Sequence, residues 1–518
     1  MFANVLSRAQ LGLQAPLVHV EAHIGGGLPR FAIVGLAETT VKESRDRVRA
    51  AIRNAGFEFP RGRIIVNLAP ADVPKEGGRF DLPIALGILA ASRQLRVDDA
   101  VWQQHEFYGE LGLDGSVRCF RGALPVALAA RGDGRTLVVP RDNCAEVAVV
   151  SDSRVVAVDQ LPAIVAHLAG SVRLPLQPAG AKRSRQHQPA DLADVRGQHH
   201  ARRALEIAAA GGHSLLLTGP PGTGKSMLAM RLPGILPQMS EDEALETAAI
   251  HSLSSRGFDA GEWRTRPFRA PHHTASAVAL VGGGSIPRPG EISLAHNGVL
   301  FLDELPEFQR HVLEVLRQPI ETGCITISRA ARQAQFPCRF QLVAAMNPCP
   351  CGNLGDPEQM CNCGRARVQR YRERVSGPLL DRIDLRLDVV RVDRRLLRPG
   401  AEAGESSSEV CDRVIAARER QRKRGPCNAA LLPGDIDKYC RPDPGALRLL
   451  EQAMRRYSLS ARAHARILRV ARTIADLAGS ADISSDIIAE AVSYRLSGAN
   501  EKPRAVPHAS RADKSPTR

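Results

Sequence analysis

The sequence predicts a mixed α/β fold that ends in a helical region, and three observations support this class. Short segments of residues 1–170 alternate apolar and polar residues, as half-buried strands do. Further along, the apolar run Ser214-Leu-Leu-Leu-Thr218 precedes a glycine-rich turn and a helical segment that begins at Met227. After residue 408 the pattern is helical. Together these features are typical of α/β proteins with a C-terminal helical region.

The N-terminal region, residues 1–170, is expected to be one α/β domain. Its alternating segments predict strands, and its longer apolar or amphipathic segments predict helices. We expect strands at 17–23, 30–34, 63–68 and 136–140, and helices at 41–55 and 81–95.

Changes in composition predict the remaining domain boundaries. Residues 171–190 lack periodicity and contain several prolines, which predicts a linker. A central α/β domain is expected at 191–393 and a helical lid at 394–499. The polar and basic residues 500–518 are expected to form a disordered tail.

Composition limits the classes of function. The chain has 518 residues, of which 44% are hydrophobic, so it can bury the cores of several domains. A net charge of +15 suggests a polyanionic partner, although a generally basic soluble protein would give the same value. Neither a signal-peptide pattern nor an apolar run of about 18 residues is present. We therefore expect a cytoplasmic protein without membrane contact, whose 11 cysteines are thiols or metal ligands.

The glycine-rich turn has the spacing of a P-loop and stands between a predicted strand and a predicted helix, as that motif requires. Backbone N–H groups of such a turn wrap phosphate oxygens, and the helix N-terminus adds a favourable dipole. Lys225 is expected to reach the β- and γ-phosphates of ATP, and the Ser226 hydroxyl to bind Mg²⁺. The predicted nucleotide-binding residues are Gly219, Pro220, Pro221, Gly222, Thr223, Gly224, Lys225 and Ser226.

Two later apolar strands end in polar residues that suit ATP hydrolysis. The segment 298–304 ends in Asp303 and Glu304. Asp303 is expected to hold the Mg²⁺ shell, and Glu304 to orient and deprotonate the attacking water. The strand 342–347 ends in Asn347, which is expected to sense the γ-phosphate or the water by a hydrogen bond.

Lys225 and Asp303 are 78 positions apart, far more than the roughly 30 residues of a simple strand–helix–strand unit. This spacing predicts an insertion with a projecting hairpin or loop at 282–290, and a second projection is expected at 326–336. Their arginines are interpreted either as contacts to a phosphate backbone in a central pore or as solvated surface residues. These arginines are Arg288, Arg329 and Arg332. The adjacent His272 and His273 are interpreted as structural or nucleotide-face residues, because neighbouring side chains on a strand point apart.

Two Cys-x-Cys pairs place four thiols within 15 residues, shortly after Asn347. Four thiolates suit a tetrahedral Zn²⁺ ion with a structural role. Four free thiols on a loop, or an iron–sulfur centre, are the alternatives. The candidate ligands are Cys349, Cys351, Cys361 and Cys363.

In several stretches the chain resembles the YifB/ComM family of magnesium-chelatase-like AAA+ ATPases. The resemblance covers roughly residues 1–498. It is carried by the P-loop, by the 303–304 carboxylates and by stretches at 194–198, 266–276, 289–304, 376–384 and 460–462. The resemblance implies an AAA+ core of the helix-2-insert type that uses ATP and Mg²⁺.

The same resemblance implies roles for two arginines. Arg382 would act as an arginine finger on the γ-phosphate of a neighbouring subunit, and Arg462 would contact nucleotide from the lid. A finger supplied in trans implies a ring, expected to be a homohexamer. The implied process is branch migration of DNA during recombination in natural transformation, with recombination proteins as further partners. A protein-remodelling or metal-chelatase ATPase that does not act on DNA is the alternative. A nucleotide-binding scaffold is disfavoured because the catalytic residues are intact.

The N-terminal domain resembles the proteolytic domain of Lon over residues 67–81. A Lon-type protease needs a serine nucleophile and a lysine base. Here the serine position is Arg79, and the lysine position falls near Arg118. Because arginine stays protonated near neutral pH, it cannot act as the base. We therefore expect a domain that binds or assembles and has no peptidase activity.

Overall fold

A computed structural model of the chain describes residues 1–35, 39–178, 180, 190–284, 287–329, 332–397 and 404–496. The predicted tail 500–518 and residues 181–189 of the predicted linker lie outside these described residues. The mixed α/β class with a helical C-terminal region is confirmed.

The chain divides into two compact units whose residues alternate along the sequence. The first unit comprises residues 1–189, 237–301 and 308–341, and the second comprises 190–236, 302–307 and 342–518. Residues 237–301 and 308–341, expected within the central α/β domain, thus share a unit with the N-terminal residues. The domain boundaries drawn from the sequence stay a prediction.

The N-terminal residues of the first unit form a seven-stranded sheet in the order β3-β4-β2-β1-β5-β8-β9. The strands of this region are β1 (Phe2–Arg8), β2 (Leu17–Gly25), β3 (Arg30–Val34), β4 (Arg63–Ala69), β5 (His105–Phe107), β6 (Glu110–Leu111), β7 (Val117–Arg118), β8 (Thr136–Pro140) and β9 (Arg154–Val158). The helices are α1 (Thr39–Asn54), α2 (Asp81–Ala91), α3 (Asp99–Gln104), α4 (Ala123–Gly132), α5 (Arg141–Val147) and α6 (Leu161–Leu168). Strand β2 pairs antiparallel with β1 and β4, whereas β1, β5, β8 and β9 run parallel.

Helix α2 is apolar on all sides because it packs on strands β1 and β2 and on helix α1. Its first residue, Asp81, is fully buried and accepts a hydrogen bond of 2.8 Å from Arg47 Nε, so the buried carboxylate is paired. The helix ends at Ala91 and not at residue 95 as predicted. Arg93 adopts a left-handed conformation with φ 62°, which an α-helix cannot continue through.

The next residues belong to the second unit and contain α7 (His199–Gly211), β10 (Leu215–Thr218) and α8 (Lys225–Ile235). The chain then returns to the first unit. There it forms α9 (Glu241–Ser252), β11 (Phe268–Arg269), α10 (Ala277–Val281), β12 (Gly282–Gly283), β13 (Arg288–Pro289), α11 (Glu291–Leu294), α12 (Arg310–Glu314), α13 (Arg317–Thr322), β15 (Cys324–Arg329) and β16 (Arg332–Pro337). Strand β14 (Val299–Leu302) begins in the first unit, and its last residue belongs to the second.

Both predicted projections are antiparallel hairpins of the first unit. Strands β12 and β13 pair Gly282 with Pro289, and β15 and β16 pair Cys324 with Pro337. Arg288 is exposed on the first hairpin. The backbones of Arg329 and Arg332 pair at the end of the second hairpin, and their side chains lie outside the described part of the chain.

Helix α9 packs against α4 within the first unit. Leu245 and Ala248 lie in one apolar cluster with Leu124 and Ala127. In addition, the N–H of Gly122 donates to the carbonyl oxygen of Ser252 at 3.2 Å. The inserted segment and the N-terminal residues therefore share a core.

The remainder of the chain completes the second unit. It contains β17 (Gln341–Met346), α14 (Arg365–Arg372), α15 (Gly377–Leu380), β18 (Leu385–Asp388), α16 (Ser407–Arg422), α17 (Pro433–Tyr439), α18 (Pro444–Tyr457), α19 (Ala461–Ala478) and α20 (Ser485–Leu496). Strand β10 lies between β17 and β18, parallel to both. Loops at the carboxyl ends of parallel strands meet at one edge of a sheet, so the P-loop and Asn347 are brought together there. Among the described helices, none has the length and apolar character needed to cross a membrane.

Candidate nucleotide-binding site

The P-loop connects β10 to α8 in the second unit. Gly222 and Gly224 adopt φ angles of 76° and 86°, which side chains disfavour and which turn the backbone tightly into the helix. The Thr223 hydroxyl is buried and donates to the carbonyl oxygen of Pro220 at 2.9 Å, bracing the turn from inside. The strand, turn and helix predicted from the sequence are therefore present.

Lys225 is the first residue of α8, and its side chain is only 8% exposed. Its Nζ donates to the carbonyl oxygens of Gly219 and Pro220 at 2.7 and 2.8 Å, and to Asn347 Oδ1 at 3.1 Å. Burial lowers the pKa of Lys225, while the charges of Asp303 and Glu304 oppose that change. The ammonium is thus held at the turn, where phosphate oxygens can replace its carbonyl partners.

The predicted Mg²⁺ ligands contact each other directly. The Ser226 hydroxyl donates to Asp303 Oδ2 at 2.6 Å. A hydroxyl and a carboxylate are hard oxygen donors, which Mg²⁺ prefers, and this pair lies directly beside the P-loop. The donor set therefore fits Mg²⁺.

Glu304 follows Asp303 in a left-handed conformation with φ 51°. Its N–H donates to Asp303 Oδ1 at 2.9 Å, and its side chain is exposed. A left-handed glutamate is uncommon and is found most often where a site needs a particular side-chain direction. Glu304 is thus accessible to water beside the two Mg²⁺-suited oxygens.

Asn347 follows β17 and is half-buried. It accepts the hydrogen bond from Lys225, so the amide lies at the same position as the ammonium. Burial raises the pKa of the neighbouring Tyr371 to about 12, although a hydrogen bond from the backbone of Asn347 opposes this. The loop that carries Asn347 is therefore packed against a buried tyrosine.

The stretch 194–198 also contacts the P-loop. Gln198 has φ 48°, and its Nε2 donates to the carbonyl oxygen of Thr223 at 2.7 Å. Asp194 accepts a hydrogen bond of 2.9 Å from Arg231 on α8. The individual roles of Gln198 and Arg231 were not predicted, because their partners lie 25 and 37 positions away in the sequence.

Arg382 lies apart from the Lys225 contacts in this single chain. It is 9% exposed, and its Nη1 donates to the carbonyl oxygen of Pro378 at 2.8 Å. Its own carbonyl oxygen accepts hydrogen bonds from the Ser214 hydroxyl and from Arg466 Nη1, at 3.1 and 2.9 Å. The predicted finger segment is thereby tied to the start of β10 and to helix α19.

Asp384 anchors the same segment. It is buried beside His213 and also pairs with Arg466. Burial opposes its ionisation, yet hydrogen bonding from His213 and the charge of Arg466 hold the pKa of Asp384 well below its usual range. Helix α19 is therefore fixed to the start of β18 by an ion pair.

Arg462 is exposed on the first turn of α19, one turn before Arg466. Ser460 caps that helix, with its hydroxyl accepting a hydrogen bond from the N–H of Ala463. Arg466, on the next turn of α19, contacts the Arg382 carbonyl oxygen and the Asp384 carboxylate. Sequence reasoning missed it, although helical spacing from Arg462 offered a signal.

The four predicted cysteine ligands come together. Their sulfur atoms all lie within 4.8 Å of one another. Cys349 Sγ is 3.4 Å from Cys351 Sγ and 3.6 Å from Cys361 Sγ, and Cys351 Sγ is 3.6 Å from Cys361 Sγ. With Zn–S bonds of about 2.3 Å, a tetrahedral site would separate its sulfurs by about 3.8 Å. The arrangement therefore fits one tetrahedral metal ion.

The loop between the cysteines touches the P-loop. Gly352 has φ 85°, and a Cβ at this residue would lie 2.7 Å from Cδ of Pro221. Only glycine allows this close approach. The cysteine loop, residues 348–364, and the P-loop are thus packed against each other within the second unit.

The first unit contains the residues at the predicted protease positions. The guanidinium of Arg79 lies 5.2 Å from the ring centroid of Phe120, and its Nη2 donates to the carbonyl oxygen of Arg121 at 2.8 Å. Burial lowers the pKa of Arg79 to about 10. Arg118 is exposed on β7. Both positions therefore hold cations, and the half-buried Arg79 makes a structural contact.

The interpretation of His272 and His273 was wrong in its geometry. The two rings lie 4.1 Å apart at 34°, because the residues belong to a loop and not to a strand. In the same stretch, Arg269 Nε and Nη2 each donate to the Glu291 carboxylate at 2.7 Å. This pair joins two of the stretches that carry the family resemblance.

Comparison with known proteins identifies the family of this chain. The chain matches three families, described as magnesium chelatase, subunit ChlI, at 191–397, subunit ChlI of Mg-chelatase at 20–143, and magnesium chelatase, subunit ChlI C-terminal, at 404–495.

Individual relatives span nearly the whole chain. It is 51% identical to competence protein ComM of Haemophilus influenzae, over 95% of this chain and 97% of that one. It is 50% identical to the uncharacterized protein YifB of Escherichia coli, over 95% and 96%. The magnesium-chelatase 38 kDa subunit of Cereibacter sphaeroides is 26% identical over 31% of this chain and 53% of its own length. The chain therefore belongs to the YifB/ComM family of magnesium-chelatase-like proteins.

Proposed function

We propose that this protein is a ring-forming motor that hydrolyses ATP to move on DNA. Membership of the magnesium-chelatase-like AAA+ group implies an ATPase that uses ATP and Mg²⁺. The observation that carries the proposal is the convergence of Lys225, Asn347 and the Ser226–Asp303 pair at the edge of one sheet. A relative that is 51% identical is named a competence protein, which supports a role in natural transformation.

Each residue of this site has a role in hydrolysis. Lys225 and the P-loop amides bind the β- and γ-phosphates, and Ser226 and Asp303 would hold Mg²⁺, which neutralises phosphate charge. Glu304 accepts the proton of the attacking water, and Asn347 orients that water or the γ-phosphate. Arg462 would contact the nucleotide from the lid.

A second subunit is proposed to complete the site. Arg382 would reach the γ-phosphate bound by a neighbouring subunit and stabilise its developing charge. A finger supplied in trans implies a ring of subunits, and we propose a homohexamer. Binding between subunits would then exchange the Pro378 contact of Arg382 for a phosphate contact.

DNA is the proposed track of the motor. The chain carries a net charge of +15, and Arg288 is exposed on the hairpin of β12 and β13. With Arg329 and Arg332 on the second hairpin, it would follow a phosphate backbone through the ring. The proposed activity is that of a cytoplasmic helicase that promotes branch migration of recombination intermediates, together with other recombination proteins.

The N-terminal region is proposed to retain a Lon-like fold for binding or assembly without peptidase activity. Arg79 and Arg118 replace the serine and lysine that such a protease would need, and the contacts of Arg79 are structural. The cysteine cluster is proposed to hold a structural Zn²⁺ ion.

A protein-remodelling or metal-chelatase ATPase is the second candidate. It is favoured by the matches to magnesium chelatase subunit families at residues 20–143, 191–397 and 404–495. Such an enzyme would hydrolyse ATP at the same site without responding to DNA.

The ATPase rate with single-stranded, duplex and four-way-junction DNA, at two salt concentrations, distinguishes the candidates. We expect DNA to raise kcat, most strongly with the junction, and added salt to reduce the effect because phosphate contacts release counterions. An Arg288→Glu variant should lose stimulation and keep the rate without DNA. If the ATPase rate without DNA is normal and none of the DNA substrates changes it, the second candidate is favoured.

A further inference from the structure

The loop 348–364, which carries the four cysteines, lies between Asn347 and helix α14 and contacts the P-loop. Cys349 and Cys351 lie just after Asn347, whereas Cys361 and Cys363 lie just before α14. A single bound ion would therefore join the end of β17 to the beginning of α14 and close the intervening loop.

The geometry of the sulfur atoms indicates a metal site. The Sγ atoms of Cys349, Cys351 and Cys361 are 3.4 to 3.6 Å apart, far longer than the about 2.05 Å of a disulfide bond, and Cys363 Sγ lies within 4.8 Å of all three. These separations are close to the about 3.8 Å expected between ligands of one tetrahedral ion. Four soft thiolates in this geometry select Zn²⁺ over Mg²⁺ or Ca²⁺.

One side of the loop reaches the phosphate-binding residues. Cys349 is fully buried and lies two residues after Asn347, whose amide accepts the hydrogen bond from Lys225. Gly352 touches Pro221 in the P-loop itself. A shift of this part of the loop would move both the amide and the turn.

The other side reaches the residues after Glu304. At the end of α14, Arg372 Nε donates to the carbonyl oxygen of Pro348 at 3.2 Å. Two residues later, Arg374 Nη1 donates to Glu307 at 2.9 Å. Helix α14 therefore links the Asn347 loop with the segment that follows the carboxylates.

We propose that Zn²⁺ bound by Cys349, Cys351, Cys361 and Cys363 controls the rate of ATP hydrolysis by positioning Asn347 and the P-loop. This inference rests on the ATPase activity alone and does not depend on a DNA substrate. The cysteines are positioning residues, since they lie one loop away from the phosphates. Loss of the ion leaves Lys225 and Ser226 able to bind nucleotide but leaves Asn347 without a fixed orientation.

The first experiment measures metal content, fluorescent-nucleotide affinity and basal ATPase rate of the full chain without DNA. We expect one Zn²⁺ per chain, and Co²⁺ substitution should give the absorption of a tetrahedral thiolate site. Cys361→Ala should lose the metal and reduce kcat at least about tenfold, with nucleotide affinity changed less than about threefold. Cys361→His, which restores a metal-binding side chain, should retain both metal and turnover. Cys119→Ala, at an exposed cysteine of the first unit, is the matched control.

A second variant tests the contact without touching a ligand. Gly352→Ala keeps all four thiols and forces the loop away from Pro221, so it should keep Zn²⁺ and lower kcat. Circular dichroism checks that each variant is folded.

Three results would overturn the proposal. These are a chain that takes up neither Zn²⁺ nor Co²⁺, iron in place of zinc in the isolated protein, or normal kcat in metal-free Cys361→Ala. Normal turnover in Gly352→Ala would contradict the part of the proposal in which the loop positions the P-loop. Because no DNA is present, the outcome is independent of whether the protein moves on DNA.

Discussion

Lys75 of the first unit and Lys225 of the second are both buried, yet their surroundings differ. Lys75 is fully buried, and its Nζ donates to the carbonyl oxygen of Pro70. Lys225 also donates to backbone carbonyls. Burial lowers the pKa of both side chains. By burial and pKa alone, the two lysines cannot be distinguished.

The difference lies in the groups that converge on each ammonium. Lys225 lies at the start of a helix, and its Nζ donates a hydrogen bond to the side-chain amide oxygen of Asn347. The negative charges of Asp303 and Glu304 also stabilise its ammonium group. Lys75 lies in a loop and feels the charge of Asp72, whose side chain is exposed. The comparison teaches that a buried lysine marks a reactive site only where other polar groups from separate elements meet it.

The largest effect is expected from Arg382→Ala, which tests whether a second chain completes the Lys225 site. An arginine finger contributes about 10³–10⁵ in kcat, so turnover should nearly vanish. Mixing Arg382→Ala with Lys225→Ala subunits should restore part of the steady-state ATPase rate, because each contributes what the other lacks. Absence of any recovery in mixed rings would mean that Arg382 does not act across an interface.

Glu304→Gln is expected to have the next largest effect, since it removes the base and preserves the shape of the side chain. General base catalysis contributes about 10²–10⁴, and kcat should fall by that factor while nucleotide affinity is kept. Single-turnover hydrolysis and nucleotide titration separate these quantities. An equivalent change in the first unit, Glu110→Gln, is the control and should leave turnover unchanged. Unaltered kcat in Glu304→Gln would reassign the base.

The smallest effects are expected from substituting the two lysines, which compares their two sites directly. Lys225→Ala should lower kcat about 10²–10³-fold, the usual cost of losing one donor to developing charge. Lys75→Ala should keep ATP turnover but reduce the free energy of unfolding by about 1–3 kcal/mol, because the Pro70 carbonyl loses its buried partner. Steady-state kinetics and urea unfolding check the pair. If a folded Lys75→Ala protein lost ATP turnover, the distinction between a structural Lys75 and a catalytic Lys225 would be refuted.

The parts of the site that the sequence predicts are those encoded by contiguous residues. The P-loop is recognisable because glycine, lysine and serine must follow one another between a strand and a helix. Likewise, Asp303 and Asn347 each end an apolar strand, and parallel strands bring their ends together. Local sequence therefore predicts where these side chains converge.

Contacts between distant segments could not be predicted in this way. The bond from Gln198 to Thr223, the Arg466–Asp384 pair and the Gly352–Pro221 contact each depend on packing that no single segment encodes. The His272–His273 geometry was misjudged for a related reason. That interpretation assumed strand geometry, whereas the two residues lie in a loop.

The apolar surface that α9 shares with α4 has a consequence for how this protein can be divided. An ATPase fragment that starts at residue 190 would keep Leu245 and Ala248 but lose Leu124 and Ala127, their partners. The exposed helix face would then favour aggregation. The N-terminal part, expressed alone, would carry the complementary exposed face. Because each part needs the other to cover its apolar helix face, we expect recombination between relatives to preserve α4 and α9 together.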